Sequence, residues 1–158
     1  MVSVNDLEKF PIFAGLDRTF LEEVAKLGVK RNYPAGEAVL DEASPAHFIY
    51  LLEKGKIALE RKLTDAFHGV AVHTIHERQI LGWSAVVEPT VHTAGARCVE
   101  DCEMIQISGK ELLTVLDKAT PASYQFMKRL ATVVAIRFIE SSNAMIREMA
   151  DFAAYRSM

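Results

Sequence analysis

His73 and His76, and Cys98 and Cys102, are the residues whose types and spacing first suggest metal or thiol chemistry. A histidine pair becomes a zinc site only with further ligands in tetrahedral geometry. On a strand, a spacing of three sends the two rings to opposite faces. His73 and His76 are therefore expected to be surface or turn histidines. Cys98 and Cys102, even with His92 added, lack the C-x₂-C spacing of a zinc site. On one extended strand their Cα atoms would lie roughly 13 Å apart, beyond the reach of a disulfide. A turn at Glu100-Asp101 would bring them closer, but reduced, buried thiols are the expectation. No GxSxG elbow, Walker-type loop or paired-carboxylate motif occurs. No catalytic residue and no metal ligand is assigned, and the chain is not expected to be an enzyme.

These residues need a scaffold, and the composition bounds it. The chain has 158 residues, 50% of them hydrophobic, with Lys+Arg 18 against Asp+Glu 21 and a net charge of -3. Domains commonly run to roughly 100–200 residues, so one domain is expected, burying about 70% of its unfolded surface. Gly 8 and Pro 5 set it apart from disordered or low-complexity chains. Mean hydropathy is +0.10, yet charges interrupt every apolar run before the roughly 18 residues of a membrane span. The opening MVSVNDLEKF has neither a basic nor an apolar leader region. A cytoplasmic protein without membrane contact is the expectation. A pI near 6.0 argues against non-specific binding to nucleic-acid phosphates.

Three zones follow one another. Residues from Asn5 to about Lys30 read as helical, with Asn5 or Asp6 capping a first turn and Asp17 a second segment. In that segment Phe20, Leu21, Val24 and Leu27 recur at helical spacing, and Gly28 is the stop signal. From Tyr33 to about Ser108 short apolar runs alternate with turn residues, among them Pro34-Ala35-Gly36, Lys54-Gly55 and His68-Gly69. This texture predicts a barrel or two-sheet sandwich, with no room for the crossover helices of a parallel sheet. From Lys110 the helical period returns: a short helix to Leu116, then a long one from about Ala122 to about Ala154 without Gly or Pro. Met127, Ala131, Val134, Phe138, Ser141 and Met145 form a paired-helix seam. Leu130, Val133, Ile139, Ile146 and Met149 add a second stripe. One stripe is expected on the core and the other on a partner, giving a homodimer through the long helix. The fold class is thus α+β, with an antiparallel barrel between helical ends.

Both the order and the words of the chain resemble the cyclic-nucleotide-binding domain of catabolite-activator-type regulators. Leu7 to Leu16 followed by Phe20-Leu21, Arg31 to Glu37, Ile49 to Ile57 and Val99 to Ile107 each resemble a segment of that family, over about residues 7 to 150. The resemblance implies a double-stranded jelly roll (barrel about 31–108), with N-terminal helices and a long dimerisation helix (about 122–154), in one domain over 1–158. It also implies a ligand site in a short helix after a barrel strand. There helix N–H groups accept a cyclic phosphate, a Glu binds the ribose hydroxyl and an Arg pairs with the phosphate.

Here that stretch is Leu81-Gly82-Trp83-Ser84-Ala85-Val86-Val87-Glu88-Pro89, then Val91-His92-Thr93-Ala94. Gly82 matches the family's Gly, Trp83 stands where the Glu is expected, and His92 where the Arg is expected. The indole N–H only donates, and neutral His lacks the guanidinium fork. Trp83 is read either as packing or as an aromatic wall for a planar ligand. Ser141 and Ser142 stand where the family's dimer helix offers hydroxyls to the base, although solvated or back-bonded serines are the plainer reading. Arg78 and Ala43 occupy positions of usual turn glycines. The expected ligand-binding residues are Gly82, Trp83, Ser84, Ala85, His92, Thr93, Ser141 and Ser142. No cofactor is assigned; a cyclic nucleotide or another small anionic ligand is the expected occupant. The resulting expectation is a non-enzymatic small-ligand sensor with a diverged phosphate-binding cassette. The alternatives are a ligand-free dimerisation or docking module, or a truncated transcription regulator. The family's regulators carry a helix-turn-helix after the long helix. The sequence ends at Met158, so direct DNA binding is not expected.

Overall fold

A computed structural model describes residues 1–62 and 69–158, so that His68 of the expected His68-Gly69 turn lies outside the described residues. The chain opens with α1 (Val4–Glu8) and α2 (Arg18–Leu27). Ser3 caps α1, not Asn5 or Asp6. Its hydroxyl accepts from the Asp6 N–H, and the Asp6 carboxylate accepts from the Ser3 N–H. Asp6 thus serves as the third residue of a capping box, the place where an acidic side chain satisfies a second orphan donor. Asp17 caps α2 as expected, accepting from the Phe20 N–H. Helical structure ends at Leu27 rather than Lys30. The reason is tertiary, since Gly28–Tyr33 pairs along its whole length with a distant strand as β1.

The other strands are β2 (Ala38–Leu40), β3 (Phe48–Lys54), β4 (Ile57–Arg61), β5 (Val70–Ile75), β6 (Ile80–Leu81), β7 (Gly95–Cys98) and β8 (Cys102–Ser108). They form two four-stranded sheets, β1-β8-β3-β6 and β2-β7-β4-β5, with every pairing antiparallel. The architecture is jelly-roll-like, as the short, punctuated apolar runs require. Leu40, Leu52, Ile57, Ile75, Leu81 and Met104 fill the space between the sheets. A second core of Leu7, Phe10, Phe13, Leu21, Leu112 and Phe126 joins the helices to the outer face of the first sheet. Phe13 and Phe126 stack there at 5.3 Å between ring centroids.

The turn at Glu100-Asp101 does bring the cysteines together. Both are buried and free, and the Cys102 thiol donates to the Glu100 carbonyl at 3.2 Å. Burial, reinforced by the Cys102 thiol, pushes the Cys98 thiol up to about 12. A thiol so protonated is a poor nucleophile. Being buried, both thiols should resist a thiol reagent in the native protein and react fully once it is unfolded without reductant. An unfolded protein that stays unreactive, with a mass two protons lower, would show a disulfide instead.

Two helices close the chain. α3 (Gly109–Leu116) is capped by the Ser108 hydroxyl on the Glu111 N–H. α4 runs Pro121–Arg156, with Thr120 as cap and Pro121 in its first turn, where a missing N–H costs nothing. At 1.5 Å per residue α4 is about 54 Å long. Its buried residues are Ala122, Ser123, Phe126 and Leu130, all in its first third. Val133 still packs on the helical core, but Phe138, Ile139, Met145, Ile146 and Met149 are each more than half exposed. Over its first part the stripes are divided by face, Leu130 and Val133 meeting the core while Met127 and Ala131 are exposed, and from Phe138 onward the large apolar residues of both stripes are exposed. No described helix is long and apolar enough to cross a membrane.

Candidate functional site

The cassette begins where β6 ends. Gly82 has φ 76 and precedes a single 3₁₀ turn, Trp83–Ala85. A Cβ on Gly82 would sit 2.6 Å from the Phe48 carbonyl oxygen, so backbone conformation and close approach to β3 both demand glycine. Gly109 lets α3 press on the same turn, since a Cβ there would lie 2.3 Å from the Ala85 carbonyl oxygen. Ser84 and Ala85 are buried. The Ala85 N–H is taken by the Gly82 carbonyl at 3.0 Å. One turn also adds little macrodipole, so anion affinity at this place must come mainly from side-chain charge.

Side chains supply little of it. Trp83 is half-buried and packs on the helical core, not among the residues between the sheets. His92 follows on the segment that pairs with residues 43–46. Its N–H donates to the Ser44 carbonyl and its carbonyl accepts from the Ala43 N–H, both at 2.9 Å. His92 is 8% exposed. Burial lowers its pKa below the usual histidine value, the neighbouring His47 adds to this and Asp41 opposes it. Thr93 is exposed. Ala43 and Arg78, where the resemblance implied turn glycines, have φ 64 and 69. The backbone thus keeps the left-handed conformations, and these residues carry their steric cost.

Ser141 and Ser142 are half-buried on α4, directly after Glu140. Around them the structure assembles a polar cluster that the spacing of His73 and His76 did not disclose. His73 Nδ1, on β5, lies 2.6 Å from Glu140 Oε2 on α4. That oxygen is fully buried and has no aligned hydrogen-bond donor. Burial lowers the His73 pKa; Glu140 opposes this, while Arg137 and His76 add to it. One turn earlier on α4, Arg137 donates to the Ile80 carbonyl. β5 and β6 are the outer strands of their respective sheets. The Gln79 carbonyl accepts from the Leu52 N–H within the first sheet, which leaves the Ile80 carbonyl on the open edge. Arg137 thus satisfies an edge acceptor, and α4 spans both edges. Sequence offered one signal for this, an Arg and a Glu at helical spacing amid apolar residues; their partners lie far away in the chain.

Comparison with known proteins agrees with this geometry. Residues 30–119, more than half of the chain, match the cyclic nucleotide-binding domain family model. No curated protein sequence matches the chain. Among solved structures, a Geobacter metallireducens protein described as cyclic nucleotide-binding is 23% identical, with TM-score 0.77 over 87% of this chain and 99% of that one. The sensor domain of the transcriptional regulator DNR from Pseudomonas aeruginosa is 21% identical, with TM-score 0.68 over 82% and 91%. The c-di-GMP-responsive regulator CLP from Xanthomonas campestris is 16% identical, with TM-score 0.69 over 80% and 62%. The two-sheet roll, the glycine-led turn after β6 and the matched segment together make this chain a member of the cyclic nucleotide-binding domain family.

Proposed function

We propose that this protein is a non-enzymatic sensor or regulatory domain whose phosphate-binding cassette has diverged, and that it signals through a dimer formed by α4. The observation that carries this reading is the contrast inside the cassette. The left-handed Gly82 and the turn it starts are kept, while Trp83 and His92 stand where the ribose acceptor and the phosphate cation would be. The ligand is then a small anion that does not depend on those two groups. The exposed apolar surface of α4 supports the homodimer. Two buried free thiols fit a reducing, cytoplasmic setting.

Cyclic AMP titrated by calorimetry into the native protein tests the reading, with binding in the high-micromolar range or weaker as the expected result. The pH dependence follows from His92. Its folded pKa lies below the usual value of about 6.5, so the ring is neutral at pH 7.5 and gains charge only in acid. A bound anion favours the protonated ring, so affinity should rise as pH falls below about 6.5, and His92→Ala should flatten that rise. Sub-micromolar binding of cyclic AMP by the native protein would show that the site has not diverged.

Trp83 packing on the helical core also favours a second reading, a ligand-free dimerisation or docking module. That reading expects no saturable binding at the cassette at any pH.

A further inference from the structure

A cavity of about 210 Å³ opens between α4, the β5–β6 edges and the Pro11-Ile12 turn. Arg137 and Arg78 line it, with Ile12, Ile80, Val133 and Ile136 among its apolar walls. It lies apart from the space between the sheets. Ile80 and Leu81 are adjacent on β6 and face opposite ways, Ile80 toward the helical core and Leu81 toward the inter-sheet core. The cavity is on the Ile80 side. Arg137 is only partly accessible, and burial pulls its pKa down to about 10, with Glu140 opposing. Among the described residues its one hydrogen bond goes to the Ile80 carbonyl, and no carboxylate lies within ion-pair distance of it. Glu140, the carboxylate that acts on it, lies against His73 instead. A desolvated guanidinium with most of its donors unused calls for an anion. Two guanidinium groups against one carboxylate leave the lining with a single positive charge. The volume lies below the roughly 300–1,000 Å³ of pockets for drug-sized ligands, so the anion must be compact.

We propose that this cavity binds a compact monocarboxylate, its carboxylate on Arg137 and its apolar body against Ile12, Val133 and Ile136. The inference does not depend on the cassette. Benzoate is the probe, titrated by calorimetry at low ionic strength, with benzamide as its uncharged counterpart. Saturable one-to-one binding with a Kd of about 1 mM or tighter is expected for so small a ligand, and benzamide should bind at least about tenfold more weakly. Arg137→Gln keeps a donor for the Ile80 carbonyl but removes the charge, and should cost about tenfold or more in benzoate affinity. Ile136→Trp fills the cavity while leaving the guanidinium in place, and should abolish binding. A Trp83→Glu/His92→Arg protein should bind benzoate as the native protein does. Absence of saturable heat, equal binding of benzamide, benzoate binding retained in both α4 variants, or its loss in the cassette variant would each overturn the proposal. If Arg137→Gln does not melt cooperatively, Ile136→Trp decides alone.

Discussion

Cyclic AMP should bind about 10²- to 10⁴-fold more tightly when Trp83→Glu and His92→Arg are combined than it binds to the native protein, because two charge-assisted hydrogen bonds at roughly 1.5–3 kcal/mol each are restored. The backbone of the site is ready for them. Gly82 already holds φ 76, and Gly109 already lets α3 support the turn. The two substitutions should be unequal in their side effects. Trp83 contributes a half-buried indole to the helical core, so Trp83→Glu should also lower the melting temperature. His92 is buried beside His47 and Asp41, where Asp41 offers an arginine a counter-charge. Calorimetry with a parallel thermal melt separates the effects. A double variant that melts cooperatively yet gains no affinity would favour the ligand-free module, with the cassette filled by its own packing.

Phe138→Glu should convert the proposed α4 dimer to a monomer without unfolding it. Phe138 is 71% exposed on the isolated chain, so the substitution removes little from the protomer's own core. Buried in a two-fold helix seam, the same position would place two carboxylates without partners in an apolar setting. Leaving an unpaired charge buried costs about 3–5 kcal/mol, which weakens association by on the order of 10²-fold or more. Light scattering at micromolar concentration measures the change. A native protein that stays monomeric there would remove the helix-mediated dimer from the proposed function, and a variant that remains fully dimeric would move the interface to another face. The length of α4 makes the prediction sharp. Its buried residues end at Leu130, and the large apolar residues from Phe138 to Tyr155 are each more than half exposed.

Much of the fold is legible because its signals are local. Asp17 before a periodic apolar face, Pro121 in a first helical turn and short runs divided by turn residues each report a backbone preference that acts within a few positions. The same locality explains the error at Ser3. Ser3, Asn5 and Asp6 can each cap, and only the hydrogen bonds of the turn choose among them. It also explains the error at Lys30, where local pattern continued a helix that pairing with β8 had already ended. Ala43 and Arg78 were readable as occupants of glycine positions, and their left-handed conformations follow from turns whose shape the neighbouring strands impose.

By itself, the sequence determined the order of the elements, the two-sheet roll between helical ends, the glycine-led segment Gly82-Trp83-Ser84-Ala85 on which the proposed cassette rests, and the apolar excess of the long helix. Those properties depend on residue type and near spacing. Only the tertiary structure decided which core receives Trp83, that Glu140 turns to His73 and that Arg137 reaches the edge carbonyl of Ile80. The last two contacts join residues more than fifty positions apart. A side chain's partner at that range is set by how sheet edges and helix come to lie against each other, and no spacing along the chain encodes it.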